Sequence, residues 1–265
     1  MFANLPTIVA ATRQRVETAK RAANVRAMQR KAEGHAPRGF RRSLEEKARS
    51  GVAVIAELKK ASPSQGTIRA TLHVGAIASE LERAGAAALS VLTEEQFFQG
   101  GLPDLAEASA ATNLPCLRKD FMVDEFQLLE AKANGADAVL LIFSALDDSE
   151  FLHLYQRSRE LGLDALCEVH DESELMRALD LGAEIVGVNN RDLRTLEVDL
   201  GTSERLAAKI PASVLRVAES GIQRGEDIRR LRAFGYQTFL VGESLMRADN
   251  PGGELAKMLA EARNP

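Results

Sequence analysis

Eight short apolar runs alternate with longer amphipathic stretches along most of the chain. The apolar runs, rich in Val, Ile, Leu and Ala, predict strands at residues 52–59, 87–93, 115–121, 138–143, 164–169, 185–189, 213–219 and 238–242. The stretches between them place apolar residues three or four positions apart and predict helices at residues 74–83, 102–112, 125–133, 149–161, 172–181, 203–209 and 225–234. Such alternation is typical of a parallel sheet covered by helices.

Four of the helix-to-strand junctions resemble one another. They read RAGAAALSVLT, ANGADAVLLIF, DLGAEIVGVNN and AFGYQTFLVGE, each with a glycine where the helix stops: Gly85, Gly135, Gly182 and Gly235. Successive glycines are 50, 47 and 53 residues apart, about two strand–helix units, so they precede every second strand. An open doubly wound sheet gives no reason for this regularity, although chance similarity of the junctions is an alternative. We therefore predict a closed (β/α)8 TIM barrel.

The first predicted strand changes from apolar to charged along its length. Ile55 shares a face with Glu57 and Lys59, while the residues at 54, 56 and 58 on the other face are all apolar. A surface ion pair is the simplest interpretation of these charges. The apolar face, and Pro63 shortly after the charges, favour instead an ordered strand end, where barrels of this kind place their chemistry.

Charged side chains also end the other odd-numbered strands. Lys119 ends the third strand, Glu168 the fifth and Glu219 the seventh. Because desolvating unpaired charges is costly, a purely structural barrel has little reason for this arrangement. We expect these side chains to converge with the charges of the first strand as an acid–base set at one mouth. Neighbouring carboxylates favour the ammonium form of a lysine and desolvation opposes it, so their balance can create a general acid near neutral pH.

Two glycine turns predict a phosphate site. Residues 218–222, AESGI, follow the seventh strand, and residues 241–245, VGESL, follow the eighth strand and begin a helix. The loops after these two strands often hold phosphate in this barrel, through backbone N–H groups at a helix N-terminus. Ordinary glycine caps are the alternative for either turn alone. A side chain at Gly242 is expected to intrude on the phosphate, whereas the Glu243 side chain is expected to point into solvent.

Residues 1–50 form a basic extension before the first strand. Residues 1–49 hold 12 Lys and Arg against 4 Asp and Glu, whereas the remainder holds 22 against 34. Helices are predicted at residues 5–34, with Thr7 as N-cap, and at residues 42–50, where Ser43 and Glu46 match a capping box. The arginines recur at helical spacing without an aromatic stacking platform, which disfavours nucleic-acid binding. A solvated helix face and a positive flap beside an anionic ligand are the alternatives.

Length and composition fit one barrel domain over residues 1–265, with two small domains as the alternative. The chain has 265 residues, 45% hydrophobic and 27% charged, which permits a substantial core. Cys116 and Cys167 lie in apolar strands, so no disulfide is expected. Only His170 of the four histidines lies near a strand end, and a supporting role is favoured there over metal ligation. Neither a leader peptide nor an apolar stretch near the ~20 residues of a membrane span is found, so we expect a soluble, cytoplasmic protein.

Seven motifs follow one another in the order of a single enzyme family. They are AELKKASPSQG at residues 56–66, then LTEEQFFQGG, LRKDFMVDEFQ, CEVH, GVNNRDL, AESGI and VGESLMR. Together they resemble the indole-3-glycerol phosphate synthases, the barrels of tryptophan biosynthesis, from about Leu5 to Leu259. The basic helical extension is also similar. Gln65 stands where a basic residue is common in the family, and Glu243 where a small residue often lies.

The resemblance implies an activity and roles for particular residues. The activity is ring closure of carboxyphenylamino-deoxyribulose phosphate with loss of carbon dioxide and water, without a cofactor or metal. Lys119 is implied as general acid and Glu168 as general base, with Glu57 and Lys59 assisting closure and dehydration; which lysine delivers the dehydration proton stays open. Substrate-pocket residues are implied at Asn189, Glu219, Ser220, Arg191 (for the carboxylate), and Phe98 and Phe121 (for the anthranilate ring). Phosphate-binding residues are implied at Ser62, Lys59, Gly221, Gly242 and Glu243.

Two other assignments compete with this one. Another phosphosugar barrel, such as phosphoribosylanthranilate isomerase or a histidine-pathway isomerase, is expected to lack the long extension and the lysine of LRKDF. A non-catalytic barrel could use the basic extension to bind nucleic acid or a partner protein, but such a barrel need not retain acid, base and phosphate positions together. We therefore expect a small phosphorylated substrate as the ligand, with no nucleic acid and no membrane as partners.

Overall fold

Eight parallel strands close into a barrel in the computed structural model, which describes residues 4–63 and 65–263. The barrel strands are β1 (Ala53–Leu58), β4 (Ala88–Leu92), β5 (Cys116–Lys119), β6 (Ala138–Ile142), β7 (Asp164–Val169), β8 (Ile185–Asn189), β9 (Leu215–Glu219) and β10 (Thr238–Val241). A small hairpin follows β1, formed by β2 (Ala61–Ser62) and β3 (Gly66–Thr67). Each barrel strand pairs with the next along the chain, and β10 pairs with β1. The predicted (β/α)8 TIM barrel is confirmed.

Helices cover the barrel on its outside and extend the chain at both ends. The covering helices are α4 (Val74–Ala84), α5 (Leu102–Ala111), α6 (Glu125–Ala133), α7 (Asp148–Glu160), α8 (Glu172–Asp180), α9 (Gly201–Ala207), α10 (Gly225–Arg232) and α12 (Pro251–Arg263), which packs between α10 and α4. The others are α1 (Leu5–Ala22), α2 (Val25–Glu33) and α3 (Phe40–Arg49) before β1, and the short α11 (Glu243–Arg247) after β10. No predicted helix corresponds to α12, whose Pro-Gly-Gly start is unlike a helix. Within the described residues, no helix combines the length and apolar character needed to cross a membrane.

Alternation along the strands separates two apolar cores. In β1, Ile55 points into the barrel and belongs to an interior cluster with Leu117 and Leu240. Val54 and Leu58 point the other way, into the layer between the strands and the helices. Both faces of β1 are therefore as predicted, and the same alternation carries Glu57 to the inside of the barrel mouth.

The four repeated glycines end helices in the left-handed conformation. The φ angles of Gly85, Gly135, Gly182 and Gly235 are 99°, 83°, 79° and 89°. Glycine has no Cβ and adopts this conformation without strain, so it allows an immediate turn from a helix into the next strand. The turns lead into β4, β6, β8 and β10, the even-numbered strands of the barrel, as the sequence repeat predicted.

The N-terminal extension contacts both ends of the barrel. Leu5 and Ile8 of α1 line the cavity at the C-terminal ends of the strands. At the opposite end, Phe40 and Leu44 of α3 are fully buried in the interior cluster. The extension thus helps to shape the mouth and fills the base of the barrel, because its helices lie at different ends.

Arg38 fastens the extension to the barrel wall between these two ends. Its guanidinium donates hydrogen bonds to both carboxylate oxygens of Asp137, at 2.6 to 3.1 Å, and to the backbone carbonyl of Thr112 at 3.0 Å. Asp137 is completely buried and also accepts a hydrogen bond from the backbone N–H of Cys116 at 2.7 Å. A buried carboxylate requires such partners because leaving it unpaired is strongly destabilising.

Two predicted helix caps are wrong. Asn4, rather than Thr7, caps α1, and its side-chain oxygen accepts from the backbone N–H of Thr7 at 3.0 Å. Helix α3 begins after Gly39 without a side-chain cap, and the hydroxyl of Ser43 instead donates to the carbonyl of Ala87 at 2.6 Å. In both cases the helix starts about one turn before the residue that the motif indicated: Asn4 supplies a local cap at α1, whereas the hydroxyl of Ser43 in α3 bonds to a carbonyl distant in sequence.

Candidate active site

The C-terminal ends of the strands surround a cavity of about 1020 Å³. Every side chain predicted for catalysis, substrate or phosphate lies on its wall: Glu57, Lys59, Ser62, Phe98, Lys119, Phe121, Glu168, Asn189, Arg191, Glu219, Ser220, Gly221, Gly242 and Glu243. Within residues 4–63 and 65–263, no group of three or more His, Cys, Asp or Glu side chains is arranged to hold a metal ion.

Lys119 lies between two carboxylates in this cavity. Its Nζ donates to Glu168 Oε2 at 2.7 Å and to Glu219 Oε2 at 2.8 Å. Lys119 and Glu219 end β5 and β9, and Glu168 is the last but one residue of β7, so inward-pointing positions of alternate strands bring them to one layer of the barrel. Both glutamate side chains are buried, and that of Lys119 is 14% exposed. A low-dielectric site with one ammonium and two carboxylates is suited to proton transfer.

The surroundings shift the pKa values of Lys119, Glu168 and Glu219 by different amounts and in different directions. Burial lowers the pKa of Lys119, but the carboxylates of Glu168, Glu219 and Glu57 outweigh it and raise that pKa well above the ordinary value. Burial raises the pKa of Glu219 to about 7, against the effect of Lys119. Burial acts likewise on Glu168, but Lys119 and His170 hold its pKa well below the usual range. Lys119 and Glu168 are therefore charged at neutral pH, while Glu219 readily takes up a proton.

A second ion pair lies at the end of β1. Lys59 Nζ donates to Glu57 Oε1 at 2.7 Å, and both side chains are largely buried. Gly242, at the end of β10, approaches this pair closely: a Cβ built there would lie 2.5 Å from Glu57 Oε1 and 2.9 Å from Glu57 Cβ. Gly242 is thus required for the position of Glu57. Glu57 is thus a reason for a glycine at this position in addition to the predicted approach of phosphate.

The turn after β9 has an unusual backbone. Ser220 and Gly221 have φ angles of 64° and 81°, and the left-handed region is strained for a serine. Asn190 holds this turn, donating from its backbone N–H and from Nδ2 to the carbonyl of Glu219 at 2.9 and 3.0 Å, and from Nδ2 to that of Ser220 at 3.2 Å. Asn190 was not among the predicted site residues, although it directly follows one of them, Asn189. Its bonds hold the turn in a conformation that local sequence preferences disfavour.

Glu243, at the start of α11, is held by arginines. Its Oε1 accepts from Arg247 Nε at 3.1 Å, and its Oε2 lies 3.8 Å from Arg191 Nη2. Arg247 also donates to the side chain of Gln65 at 2.9 Å. The expectation that Glu243 points freely into solvent is therefore wrong, since its side chain is 32% exposed and paired. The two departures from the family pattern, Gln65 and Glu243, belong to one hydrogen-bonded chain across the cavity rim.

Aromatic and aliphatic side chains line another part of the cavity. Phe98 and Phe121 lie with ring centroids 6.4 Å apart, as a pair that could contact an aromatic substrate. Leu5 and Ile8 from α1 add to this wall. The predicted position of α1 near the mouth rested only on its charge, and no sequence motif indicated these two apolar contacts.

His170 lies behind Glu168 rather than on the cavity wall. Its Nε2 faces Glu168 Oε1 at 3.3 Å, and its Nδ1 lies 3.0 Å from Glu174 Oε2. The predicted supporting role fits this position. The signal for a specific partner was the spacing of Glu168, His170 and Glu174, two and four residues apart across a strand end and the first turn of a helix.

The basic residues of α1 pair with carboxylates of the barrel. Arg15 Nη2 donates to Asp120 at 3.0 and 3.1 Å, and Asp120 directly follows Lys119. Lys20 donates to Asp124 at 2.9 Å. The extension does lie beside the mouth, but these charges are largely neutralised by partners on the protein. They hold the helix in place more than they attract an anion.

Solved structures with low sequence identity support the fold. The alpha subunit of tryptophan synthase from Legionella pneumophila matches with a TM-score of 0.63 at 14% identity, covering 87% of this chain and all of that one. The 3-hexulose-6-phosphate synthase from Salmonella typhimurium matches with a TM-score of 0.63 at 13% identity, covering 79% and 97%. Likeness at such low identity concerns the barrel alone.

Sequence relatives are much closer and cover the whole chain. Indole-3-glycerol phosphate synthase from Koribacter versatilis (strain Ellin345) is 53% identical over 259 residues, 98% of this chain and 100% of the relative. The enzyme of that name from Polaromonas naphthalenivorans (strain CJ2) is 46% identical over 259 residues, covering 97% and 98%. The family model for indole-3-glycerol phosphate synthase matches residues 5–258. The chain belongs to the indole-3-glycerol phosphate synthase family.

Proposed function

We propose that the cavity closes the indole ring of carboxyphenylamino-deoxyribulose phosphate, releasing carbon dioxide and water. The observation that carries this proposal is the position of Lys119, whose ammonium is held at 2.7 and 2.8 Å between two buried carboxylates on the cavity wall. The reaction needs an acid at a ketone, a base at the developing ring and a proton for the departing hydroxyl. The barrel mouth supplies groups for each of these steps.

Lys119 is the general acid of the condensation. The aromatic carbon that bears the carboxylate attacks the ketone carbon of the sugar chain, and the ketone oxygen takes a proton from the Lys119 ammonium. The raised pKa of Lys119 keeps it protonated before substrate binds. Its donation becomes easier when the substrate moves between the ammonium and its carboxylate partners, because their support for the charged form is then weakened.

Glu168 is the general base. Loss of carbon dioxide from the condensed intermediate restores electrons to the aromatic ring. The hydroxyl then departs with electron donation from the nitrogen, and the base removes a proton from the ring carbon next to the nitrogen, which forms the double bond of the indole and leaves its N–H in place. Glu168 is ionised at neutral pH and lies on the same wall as Lys119, as a base for that proton must. Its position near the acid lets the two groups act on neighbouring atoms of one small substrate.

The Glu57–Lys59 pair assists closure and dehydration. The hydroxyl leaves as water after it gains a proton, and either Lys59 or Lys119 can donate it. The 2.7 Å contact with Glu57 orients Lys59 into the cavity.

Binding groups surround the acid–base centre on two sides. Backbone N–H groups bind the phosphate from the turn at Ser220 and Gly221, from Gly242 and from the first turn of α11. The side chains of Ser62 and Lys59 lie beside them. Phe98 and Phe121 contact the anthranilate ring, while Asn189 and Glu219 hold the sugar hydroxyls. Arg191 pairs with the carboxylate that is lost. Glu243 borders the phosphate through its backbone.

The proposal extends to the setting of the enzyme. Residues 1–265 form a single domain in which residues 1–50 are an integral part, supported by the burial of Phe40 and Leu44 in the barrel interior. The protein acts in the cytoplasm on a small phosphorylated substrate, without nucleic-acid or membrane partners. The pairing of Arg15 and Lys20 with barrel carboxylates supports this, because such charges are not free to form an array for phosphate backbones.

Turnover of two variants tests the roles of the acid and the base. Lys119→Met and Glu168→Gln are each expected to lose ~10²-fold or more in kcat while substrate still binds, as for groups that act mainly in the transition state. Formation of indole-3-glycerol phosphate is followed by its fluorescence, and substrate affinity by equilibrium titration. Lys257→Met and Glu125→Gln, at side chains 64% and 54% exposed, serve as matched controls. Near-native turnover in either active-site variant would remove that residue from its role.

A further inference from the structure

We propose that His170 is a positioning residue for the base: clamped by Glu174, it fixes the carboxylate of Glu168 and places a second positive charge beside it. This inference rests on the proposed role of Glu168. It assigns a function to a buried histidine that lies outside the cavity wall and touches no substrate.

The geometry places His170 between two carboxylates. Its backbone N–H and its ring Nδ1 both contact Glu174 Oε2, at 2.8 and 3.0 Å. On the opposite edge of the ring, Nε2 is buried and faces Glu168 Oε1 at 3.3 Å, an ion-pair distance without hydrogen-bond geometry. The other oxygen of Glu168 accepts from Lys119 at 2.7 Å. Each oxygen of the Glu168 carboxylate therefore lies beside a different cation: Oε1 beside His170 and Oε2 beside Lys119.

Glu174 is itself held in a fixed position. It is the third residue of α8, and its backbone N–H is bonded to Asp171, the residue that caps the helix, at 2.9 Å. Because its carboxylate accepts from the backbone of His170 as well as from the ring, the imidazole has little freedom to rotate. Nδ1 must carry a proton in this arrangement, since a carboxylate can only accept. The orientation of Nε2 toward Glu168 follows.

The surrounding charges favour the imidazolium form. Burial lowers the pKa of His170, but Glu168 and Glu174 outweigh it and raise the pKa to about 10. The charged groups around the pair are Glu168 on β7, Asp171 and Glu174 at the start of α8, Lys119 from β5 beyond Glu168, and Arg194 from the loop between β8 and α9. His170 is accordingly charged at neutral pH and lies directly beside an ionised base.

This arrangement has a chemical consequence for catalysis. A carboxylate held on both oxygens loses little freedom when it accepts a proton from substrate, and it stays ionised at mildly acidic pH. The same contacts lower the basicity of Glu168. That basicity rises again when the neighbouring Lys119 gives up its own proton. A purely structural histidine would hold the β7–α8 turn but would leave the titration of Glu168 unchanged.

The pH profile of kcat separates these roles. His170→Asn is expected to lower kcat roughly tenfold, the effect of one lost contact between charged groups, with KM changed less than about threefold. Removing a positive charge raises the pKa of Glu168, so the acidic limb of the kcat profile moves to higher pH. Glu174→Gln keeps the shape of the clamp but removes its charge. His170 stays protonated at the acidic pH where Glu168 titrates, so this variant does not move the limb to higher pH, and an upward shift is specific to loss of His170. In the double variant the two effects on kcat are less than additive, because both act through Glu168.

A spectroscopic measurement does not depend on turnover. Nitrogen NMR of the imidazole at about pH 7.5 is expected to show His170 doubly protonated in the unaltered enzyme and neutral in a larger fraction of Glu174→Gln. His153→Asn is the matched control, since His153 is 63% exposed on α7, and it leaves kcat and the profile unchanged. An unshifted acidic limb in folded His170→Asn, or a neutral His170 in the unaltered enzyme, would overturn the inference. Near-native turnover in Glu168→Gln would instead refute the proposed function beneath it.

Discussion

Gly187 of β8 leaves the space that the carboxylate of Glu219 occupies. A Cβ built on Gly187 would lie 1.9 Å from Glu219 Oε1, closer than any nonbonded contact allows. Glu219 is the last residue of β9 and pairs with Asn189, so its side chain leans back along the neighbouring strand toward Gly187. Its Oε1 is buried there without a hydrogen-bond partner. The missing side chain at one position therefore determines where an ionisable group at another can lie.

Gly187→Ala is expected to reduce turnover strongly with little effect on folding of the backbone. Gly187 is not among the residues with positive φ, so alanine fits the strand, but its methyl displaces Glu219 from Lys119. We expect kcat to fall ~10-fold or more, since the acid loses one of its two partners. Steady-state kinetics and thermal unfolding measure the two effects. Gly34→Ala, where the nearest atom is 3.4 Å away, is the control, and equal kinetics in both variants would contradict the explanation.

Glu219 also makes stability depend on pH. Its pKa is raised to about 7 in the folded protein, above the usual value of ~4.3 in an unfolded chain. The folded state therefore binds the proton more tightly, and the stability from this group is lost as the pH rises through about 7. Glu219→Gln removes that loss. We expect the variant to gain stability relative to the parent in urea unfolding as the pH rises from about 4.3 to about 7, with a constant difference at higher pH, and a difference independent of pH would contradict the assignment.

The turn after β10 distinguishes a backbone requirement from a side-chain one. Gly242→Val should weaken substrate affinity and lower turnover, because the new side chain collides with Glu57 and separates it from Lys59. Glu243→Ser should weaken affinity by no more than about threefold, under ~0.7 kcal/mol, since the proposed phosphate contact of that residue uses only its backbone N–H. Its loss also releases Arg191 and Arg247 from a carboxylate. Titration with phosphorylated substrate measures both constants.

Each of the two variants has an outcome in that titration that would contradict its prediction. A large loss of affinity in Glu243→Ser would mean that the carboxylate orients the two arginines in a way the substrate needs. A Gly242→Val enzyme with normal kinetics would show that Glu57 has room to move and that its contact with Lys59 is dispensable.

Two truncations separate the roles of the extension. Removing residues 1–23 takes away Leu5 and Ile8 but keeps Arg38 and α3, so we expect weaker substrate binding and a folded barrel. Because Arg15 and Lys20 of α1 are already paired with barrel carboxylates, the salt dependence of binding should stay close to that of the full chain. Removing residues 1–39 also deletes Arg38 and leaves the buried Asp137 unpaired. We expect this to lower the free energy of unfolding by an amount on the order of 3–5 kcal/mol.

Urea unfolding and titration at low and high salt check these expectations, with Arg38→Met in the full chain as the matched single change. Equal stability of the two truncations would show that Asp137 finds other partners. A binding constant that loses its salt dependence with residues 1–23 would restore the view that the extension attracts the anion by its charge.

Local sequence was sufficient for most of the architecture. Strand and helix positions follow from apolar spacing, because the periods of the two elements differ and a buried face must be continuous. The left-handed glycines at Gly85, Gly135, Gly182 and Gly235 mark the even-numbered strands for the same local reason. Helix starts were less accurate, since Asn4 competes locally with Thr7 as the cap of α1, and the hydroxyl of Ser43 bonds to the distant carbonyl of Ala87 instead of capping α3.

The sequence by itself determined that Lys119, Glu168 and Glu219 end alternate strands and therefore meet at one end of a barrel, because closure and side-chain alternation leave them no other place. Only the tertiary structure decided which groups touch. The pairing of Lys119 with both carboxylates, the space left by Gly187 and the contact of Gly242 with Glu57 depend on distances between strands that are far apart in sequence. Local periodicity specifies the direction of a side chain, while its charge state depends on neighbours that closure of the barrel brings within a few ångströms.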